Sequence, residues 1–193
     1  MNLPNKITVA RILLIPIFLV VYLAQPFPAI LNEWVALVLF VVAASTDALD
    51  GYYARKLKLV TNFGKLIDPL ADKLLVCSIL VAFTYTGIVP AWATILIIAR
   101  EFYISGFRQL ALEQNLVVAA SGLAKMKTIF QITLISYILV PTVPFDIFIW
   151  RPITVVLIIT AVIFTIWSAV DYTVKNINVF TNNTKTNSSG YGE

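Results

Sequence analysis

Hydrophobic residues run along this chain in long stretches, separated by short polar junctions. Four stretches carry no charge: residues 12–32, 74–99, 128–145 and 152–170, which are 21, 26, 18 and 19 residues long. A helix that spans a bilayer needs about 20 mostly apolar residues. The longest stretch contains Gly87-Ile88-Val89-Pro90, a turn signal. It therefore divides between two helices, each continuing into charged sequence. The pattern predicts six helices, at about 10–24, 30–56, 63–86, 90–113, 120–140 and 152–174. Pro26 and Pro28 mark the first loop, and Pro141 and Pro144 the fifth. Pro16 is expected to kink the first helix.

Composition points the same way. Of 193 residues, 60% are hydrophobic and 12% charged, against about 25% charged in a soluble domain. Packing at this size cannot hide so much apolar surface from water, whereas a lipid bilayer can accept it. The fold expected is all-α, an integral membrane bundle of six transmembrane helices with a polar cavity facing the cytosol. Residues 1–175 form one membrane domain, with an interfacial segment at about 1–9. The polar tail, 176–193, is expected to be flexible. A single cysteine, Cys77, excludes a disulfide framework, and the absence of histidine excludes imidazole catalysis. Acid–base chemistry must then use carboxylates, lysine or tyrosine.

The placement of charge gives an orientation. Lys6, Arg11, Arg55, Lys56, Lys58, Lys65, Lys73, Arg100, Arg108, Lys125, Lys127, Lys175 and Lys185 fall on one side of a six-span chain, and only Arg151 falls on the other. The positive-inside rule puts both termini and the polar junctions in the cytosol of a cell with an inner membrane. The apolar start lacks a small-residue cleavage site, so uncleaved insertion is expected. No basic patch sits on a soluble domain, and nucleic acid is not an expected partner.

Four acids interrupt apolar helices: Asp47, Asp50, Asp68 and Asp72. Each ionised Asp at mid-bilayer costs about 2.5–3.5 kcal/mol on insertion scales. Solvated helix ends near the interface are the bland explanation, but the spacing is too regular for it. Asp47 and Asp50 lie one helical turn apart and share a face. Asp68 and Asp72 do the same on the next helix. Two neighbouring helices would aim four carboxylates at one point, where they repel unless cations lie between them. Oxygen-only ligands suit Mg²⁺, Mn²⁺ or Ca²⁺. A pair of such ions about 3.5–4 Å apart suits in-line displacement at phosphorus. Gly51 and Gly64 allow a large ligand to approach the backbone.

The stretch Asp47-x2-Asp50-Gly51-x2-Ala54-Arg55-x8-Gly64-x3-Asp68-x3-Asp72 resembles the signature of the CDP-alcohol phosphatidyltransferases, a family of integral membrane enzymes. Every fixed position of that pattern is filled. The resemblance implies six spans and a homodimer. It implies that Asp47, Asp50 and Asp68 hold two divalent ions, Mg²⁺ or Mn²⁺, and that Asp72 touches the metals or acts as general base. Gly51, Ala54, Arg55 and Gly64 would line the CDP site. The implied donor is CDP-diacylglycerol: an alcohol oxygen attacks the phosphorus that carries the diacylglycerol, and CMP leaves. Thr8 and Arg11, one helical turn apart near the N-terminus, can reach the nucleotide or a phosphate. Topology and anchoring alone would also account for them.

The acceptor is read from the remaining charges at membrane depth. Arg100, Glu101 and Arg108 lie on the fourth helix, and Lys125 and Lys127 open the fifth. An ion pair within a span normally points inward, although each Lys alone is equally a snorkelling topology base. Arginine and lysine together suggest an acceptor with its own phosphate. Residues 98–108, the stretch Ala124-Lys125-Met126-Lys127-Thr128 and the opening residues 3–11 look like the bacterial branch of the family whose acceptor is glycerol 3-phosphate. The reaction implied yields phosphatidylglycerophosphate and CMP, a step of phospholipid synthesis. A sister enzyme using inositol phosphate or phosphatidylglycerol is the first alternative. A cation transporter is the remote one, disfavoured because no internal repeat is visible.

Overall fold

A computed structural model of the chain describes residues 3–57, 62–113, 122–141 and 147–176. Among the described residues every regular element is an α-helix: α1 (Leu3–Ala24), α2 (Ala29–Leu57), α3 (Asn62–Tyr85), α4 (Ala91–Glu113), α5 (Gly122–Leu139) and α6 (Ile147–Lys175). The six expected helices are all present, with bounds close to those read from the hydrophobic pattern. Two starts differ. The first helix begins at Leu3, seven residues before the position expected, and runs through most of the proposed interfacial segment without a break. Pro4 stands second in it, where its missing N–H is one that a helix start leaves unpaired anyway. The last helix begins at Ile147 and carries Pro152 inside it, although Pro152 was expected to open it. The ring removes a single hydrogen bond near the helix start. Trp150, which stacks on Tyr137 with ring centroids 6.3 Å apart, anchors the added turn to α5. The polar tail beyond Asn176 lies outside the described residues.

The helices close into a ring. The first packs against α2 and α3, α3 meets α4, and α4 meets α6. The last packs along α5, which returns to α2, and α2 also touches α3. Inside the ring lies one continuous core to which all six contribute, including Phe18, Phe40, Ile79, Phe83, Ile97, Leu134, Ile135 and Ala161. A second, smaller cluster joins Ile104, Phe107 and Ala111 of α4 to Tyr172 of α6.

Large apolar side chains also cover the outside. Leu13, Ile17 and Val20 on α1, and Val155, Val156, Ile159, Ile163, Ile166 and Val170 on α6, are all exposed. A helix apolar on every face belongs in lipid or in the core of a larger protein. Among the described residues two segments are long and apolar enough to cross a membrane by length and composition: Ala29–Thr46, of mean hydropathy 1.8, and Ile149–Lys175, of mean hydropathy 2.5. Shorter apolar runs occupy Thr8–Ala24 and Lys73–Tyr85. Charge along α1, α3, α4 and α5 shortens their apolar portions, and Arg11, Lys73, Arg100, Glu101, Arg108, Lys125 and Lys127 from these helices line a single cavity.

The turn between α3 and α4 is the sharpest feature of the opposite end. Gly87 has φ of 75°, a left-handed conformation that suits glycine. Its N–H reaches the Thr84 carbonyl at 3.0 Å, and the Ile88 N–H reaches the Phe83 carbonyl at 3.0 Å. This is the paired closure that ends helices at a left-handed residue. Pro90 follows, and its carbonyl accepts from Ala93 and Thr94 at 3.0 and 3.3 Å as α4 starts.

Candidate functional site

A cavity of about 490 Å³ opens between α1, α2, α3, α4 and α5. Its apolar floor includes Phe40, Ala43 and Ala44 of α2 with Leu75 and Val76 of α3. Among the described residues its polar lining holds six bases, Arg11, Lys73, Arg100, Arg108, Lys125 and Lys127, and one carboxylate, that of Glu101. Positive charges gathered around one space repel where the dielectric is low. Such an arrangement is stable only beside compensating anions, whether carboxylates of the chain or a ligand.

Glu101 organises the α4–α5 wall. The ammonium of Lys127 donates to Glu101 Oε1, and Arg100 Nη1 lies 3.5 Å from the same oxygen. All three side chains are largely buried: 9% exposed for Arg100, 12% for Glu101 and 6% for Lys127. One carboxylate cannot satisfy two cations fully. Among the described residues Arg100 Nε and Nη2 are buried without a hydrogen-bond partner, and so is Gln131 Nε2, one turn beyond Lys127 on α5. Buried donors left unpaired cost about 1–3 kcal/mol each. Three of them, on two residues lining one cavity, mark a place prepared for an acceptor-rich ligand.

Two contacts tie this cavity to the acidic stretch. Arg11 is fully buried and its Nε donates to Thr46 Oγ1 at 3.3 Å. Thr46 in turn donates to the Ala43 carbonyl at 2.7 Å, which fixes the residue just before Asp47. On the other side, Lys73 directly follows Asp72, and its ammonium donates to Ser105 Oγ of α4. Ser105 passes its own proton toward the Glu101 carbonyl at 2.6 Å. The helices that carry Asp47 and Asp50 (α2) and Asp68 and Asp72 (α3) thus each reach the cavity wall within one residue of an Asp.

The side chains of Asp47, Asp50, Asp68 and Asp72 lie outside the described ones, as do those of Ala54 and Arg55 and the surroundings of Gly51 and Gly64. Their backbones place the first pair of acids on α2 and the second on α3, at three- and four-residue helical spacing. Among the described residues no group of three His, Cys, Asp or Glu side chains could hold a metal ion.

Of the residues expected to bind an acceptor phosphate, Arg100, Arg108, Lys125 and Lys127 all line this one cavity. Arg11, expected on the donor side, lines it too. Thr8 is buried one turn earlier on α1 and is not among the lining residues. Lys73 and Gln131 were not singled out as site residues. Lys73 stands next to Asp72, and Gln131 follows Lys127 by four, which puts it on the same helical face. Both signals were present in the sequence.

Comparison with known proteins finds relatives along most of the chain. The family model described as CDP-alcohol phosphatidyltransferase matches residues 1–167. A protein of Bacillus subtilis strain 168, named CDP-diacylglycerol–glycerol-3-phosphate 3-phosphatidyltransferase, is 45% identical over 190 residues, covering 91% of this chain and 95% of that protein. A protein of the same name from Rickettsia bellii is 44% identical over 136 residues, 70% of this chain and 73% of its own length. Another, from Shigella flexneri serotype 5b, is 33% identical over 182 residues, 89% of this chain and 92% of its own.

Proposed function

The chain belongs to the CDP-alcohol phosphatidyltransferase family, and from that membership we propose that it transfers the phosphatidyl group of CDP-diacylglycerol to glycerol 3-phosphate. The products are phosphatidylglycerophosphate and CMP, and the setting is phospholipid synthesis. Membership sets aside the cation-transport alternative. The choice of a phosphorylated acceptor is carried by one observation: among the described residues, six bases and one carboxylate line a single cavity whose walls leave Arg100 and Gln131 donors unpaired. A dianionic phosphate suits that lining, and Arg100 and Arg108 can offer it forked contacts. An uncharged acceptor would bring no charge to match that basic lining.

In the proposed reaction the acceptor hydroxyl oxygen bonds to the phosphorus that bears diacylglycerol. The bond from that phosphorus to the CMP oxygen breaks, and CMP leaves with the electron pair. Asp72 takes the hydroxyl proton, a role for which the chain offers carboxylates and no imidazole. Arg100, Arg108, Lys125 and Lys127 hold the acceptor's phosphate. Gly51, Ala54, Arg55 and Gly64 line the nucleotide, with Arg11 fixing α1 against Thr46 beside them. Asp47, Asp50, Asp68 and Asp72 form an all-oxygen donor set of the kind Mg²⁺ and Mn²⁺ take, on two helices in mutual contact. Two divalent ions held there would offset the negative charge of the diphosphate.

We read the helices as six spans, with both termini and the cavity on the cytosolic side of the cell membrane. Thirteen bases at one end against Arg151 at the other support that orientation. A homodimer, implied by the resemblance, is checked by the mass of the detergent-solubilised protein. The deciding experiment supplies purified protein with CDP-diacylglycerol and, in separate reactions, glycerol 3-phosphate, inositol phosphate, phosphatidylglycerol or serine. CMP release with phosphatidylglycerophosphate as product is expected only with the first. Turnover with inositol phosphate or phosphatidylglycerol alone would replace this acceptor.

A further inference from the structure

Arg108 is the one cavity base of α4 that α6 holds. Its Nε donates to the Tyr172 hydroxyl at 3.2 Å, and its guanidinium carbon lies 5.6 Å from the centre of the Tyr172 ring, within reach of a cation–π contact. Tyr172 itself does not line the cavity. It is 1% exposed and stands edge-on to Phe107, with centroids 5.3 Å apart. Ile104 and Ala111 complete the cluster around it. The next residue, Thr173, shares a hydrogen bond of 3.0 Å with the Tyr103 hydroxyl. Tyr172 is therefore a fixed group, locked between two helices, on which a long and otherwise mobile side chain rests.

The contact is selective about which nitrogen it takes. Nε is engaged by Tyr172, whereas the terminal Nη pair makes the fork that suits a phosphate. An exposed Arg loses much rotamer freedom when it binds an anion. A partner that already holds Nε removes part of that loss before the ligand arrives. We propose that Tyr172 is a positioning residue for the acceptor site, holding Arg108 so that its terminal nitrogens are presented to the acceptor's phosphate. This rests on the reading of Arg108 as an acceptor ligand.

The test uses the full chain in proteoliposomes, varying glycerol 3-phosphate at saturating CDP-diacylglycerol and then the reverse. Tyr172→Phe keeps the ring and the packing and removes only the acceptor oxygen. The acceptor KM should rise about threefold to tenfold, the worth of one hydrogen bond, with kcat and the donor KM unchanged within twofold. Tyr172→Leu, which also removes the ring, should go further in the same direction. In an Arg108→Ala background Tyr172→Phe should have no added effect, because the group it positions is gone. A structural role alone would instead lower the melting temperature and shift kcat and both KM values together, which would overturn the proposal. So would additive effects in the double variant. If Arg108→Ala raises the acceptor KM and Tyr172→Phe does not, positioning is wrong and the acceptor site stands. If Arg108→Ala leaves the acceptor KM unchanged, the assignment of Arg108 fails first and the role of Tyr172 falls with it.

Discussion

The two ends of α4 solve opposite problems with the same kinds of group. At its start, Thr94 shares a hydrogen bond of 2.6 Å with Thr84 across the turn from α3, and Thr84 also donates to the Leu80 carbonyl at 2.9 Å. Backbone closure around Gly87 takes up the Ala82, Phe83 and Thr84 carbonyls. Most partners there are near in sequence, the exception being Thr86, whose hydroxyl shares a hydrogen bond of 3.2 Å with Tyr22 of α1. Further along, Glu101, Ser105 and Arg108 find partners on α5, α3 and α6, up to 64 residues away. That end also leaves Arg100 donors unpaired. One end is closed on itself and holds the fold together. The other is held open in charge and hydrogen bonding, as a binding site must be.

The contrast is broken most severely by removing the proposed chemistry from the open end. Asp72→Asn keeps size and helix but cannot accept a proton. CMP release should fall about 10²- to 10⁴-fold, the usual worth of a general base, while the protein still inserts and melts near the parent temperature. Asp68→Asn should be as damaging through the metal site. Chelation with EDTA should stop turnover of the parent protein and Mg²⁺ should restore it; activity that survives chelation would remove the metal account. Full activity in both Asp variants would move the chemistry elsewhere.

A smaller change sharpens the comparison within the cavity wall. Lys127→Met removes one of the two cations that share Glu101 and one proposed phosphate ligand. With glycerol 3-phosphate varied, kcat/KM should drop about tenfold to 150-fold, or about 1.5–3 kcal/mol for a lost charge-assisted bond. The KM for CDP-diacylglycerol should hold. An equal loss for both substrates would mean that Lys127 supports the wall without touching the acceptor.

How much of this was legible follows the same division. The turn at residues 87–90 was readable because its signals, glycine and proline, act on their own backbone. Helix positions were readable from the charge-free runs, and the gathering of Arg100, Arg108, Lys125 and Lys127, the bases proposed for the acceptor, at one cavity from their sequence neighbourhood on α4 and α5. The acidic signature was readable because its chemistry is carried at one-turn spacing on two successive helices. Contacts between distant helices were not. Nothing near Lys73 announces Ser105, 32 residues on. Nothing near Arg108 announces Tyr172, which in sequence is one more aromatic on an apolar helix. The early start of α6 was missed for a local reason, since Pro152 is favoured at a helix start but is tolerated just inside one when tertiary packing holds the added turn.

The smallest expected effect tests the closed end. Gly87 adopts φ of 75°, and an added methyl would meet no atom within 4 Å. Gly87→Ala therefore introduces no clash, and its whole cost is conformational, about 1–2 kcal/mol for an L-residue in the left-handed region. The Gly87 and Ile88 hydrogen bonds to Thr84 and Phe83 can persist, so the turn strains without coming apart. Gly87→Asn should cost less, because asparagine visits that region more readily. Unfolding in detergent should show the loss in stability in that order, with kinetic constants per folded molecule unchanged for both substrates. The separation of the two ends predicts that silence. A Gly87→Ala protein with normal stability but a raised acceptor KM would show that α4 transmits the state of its turn to its arginines, and the two ends would have to be treated as one coupled unit.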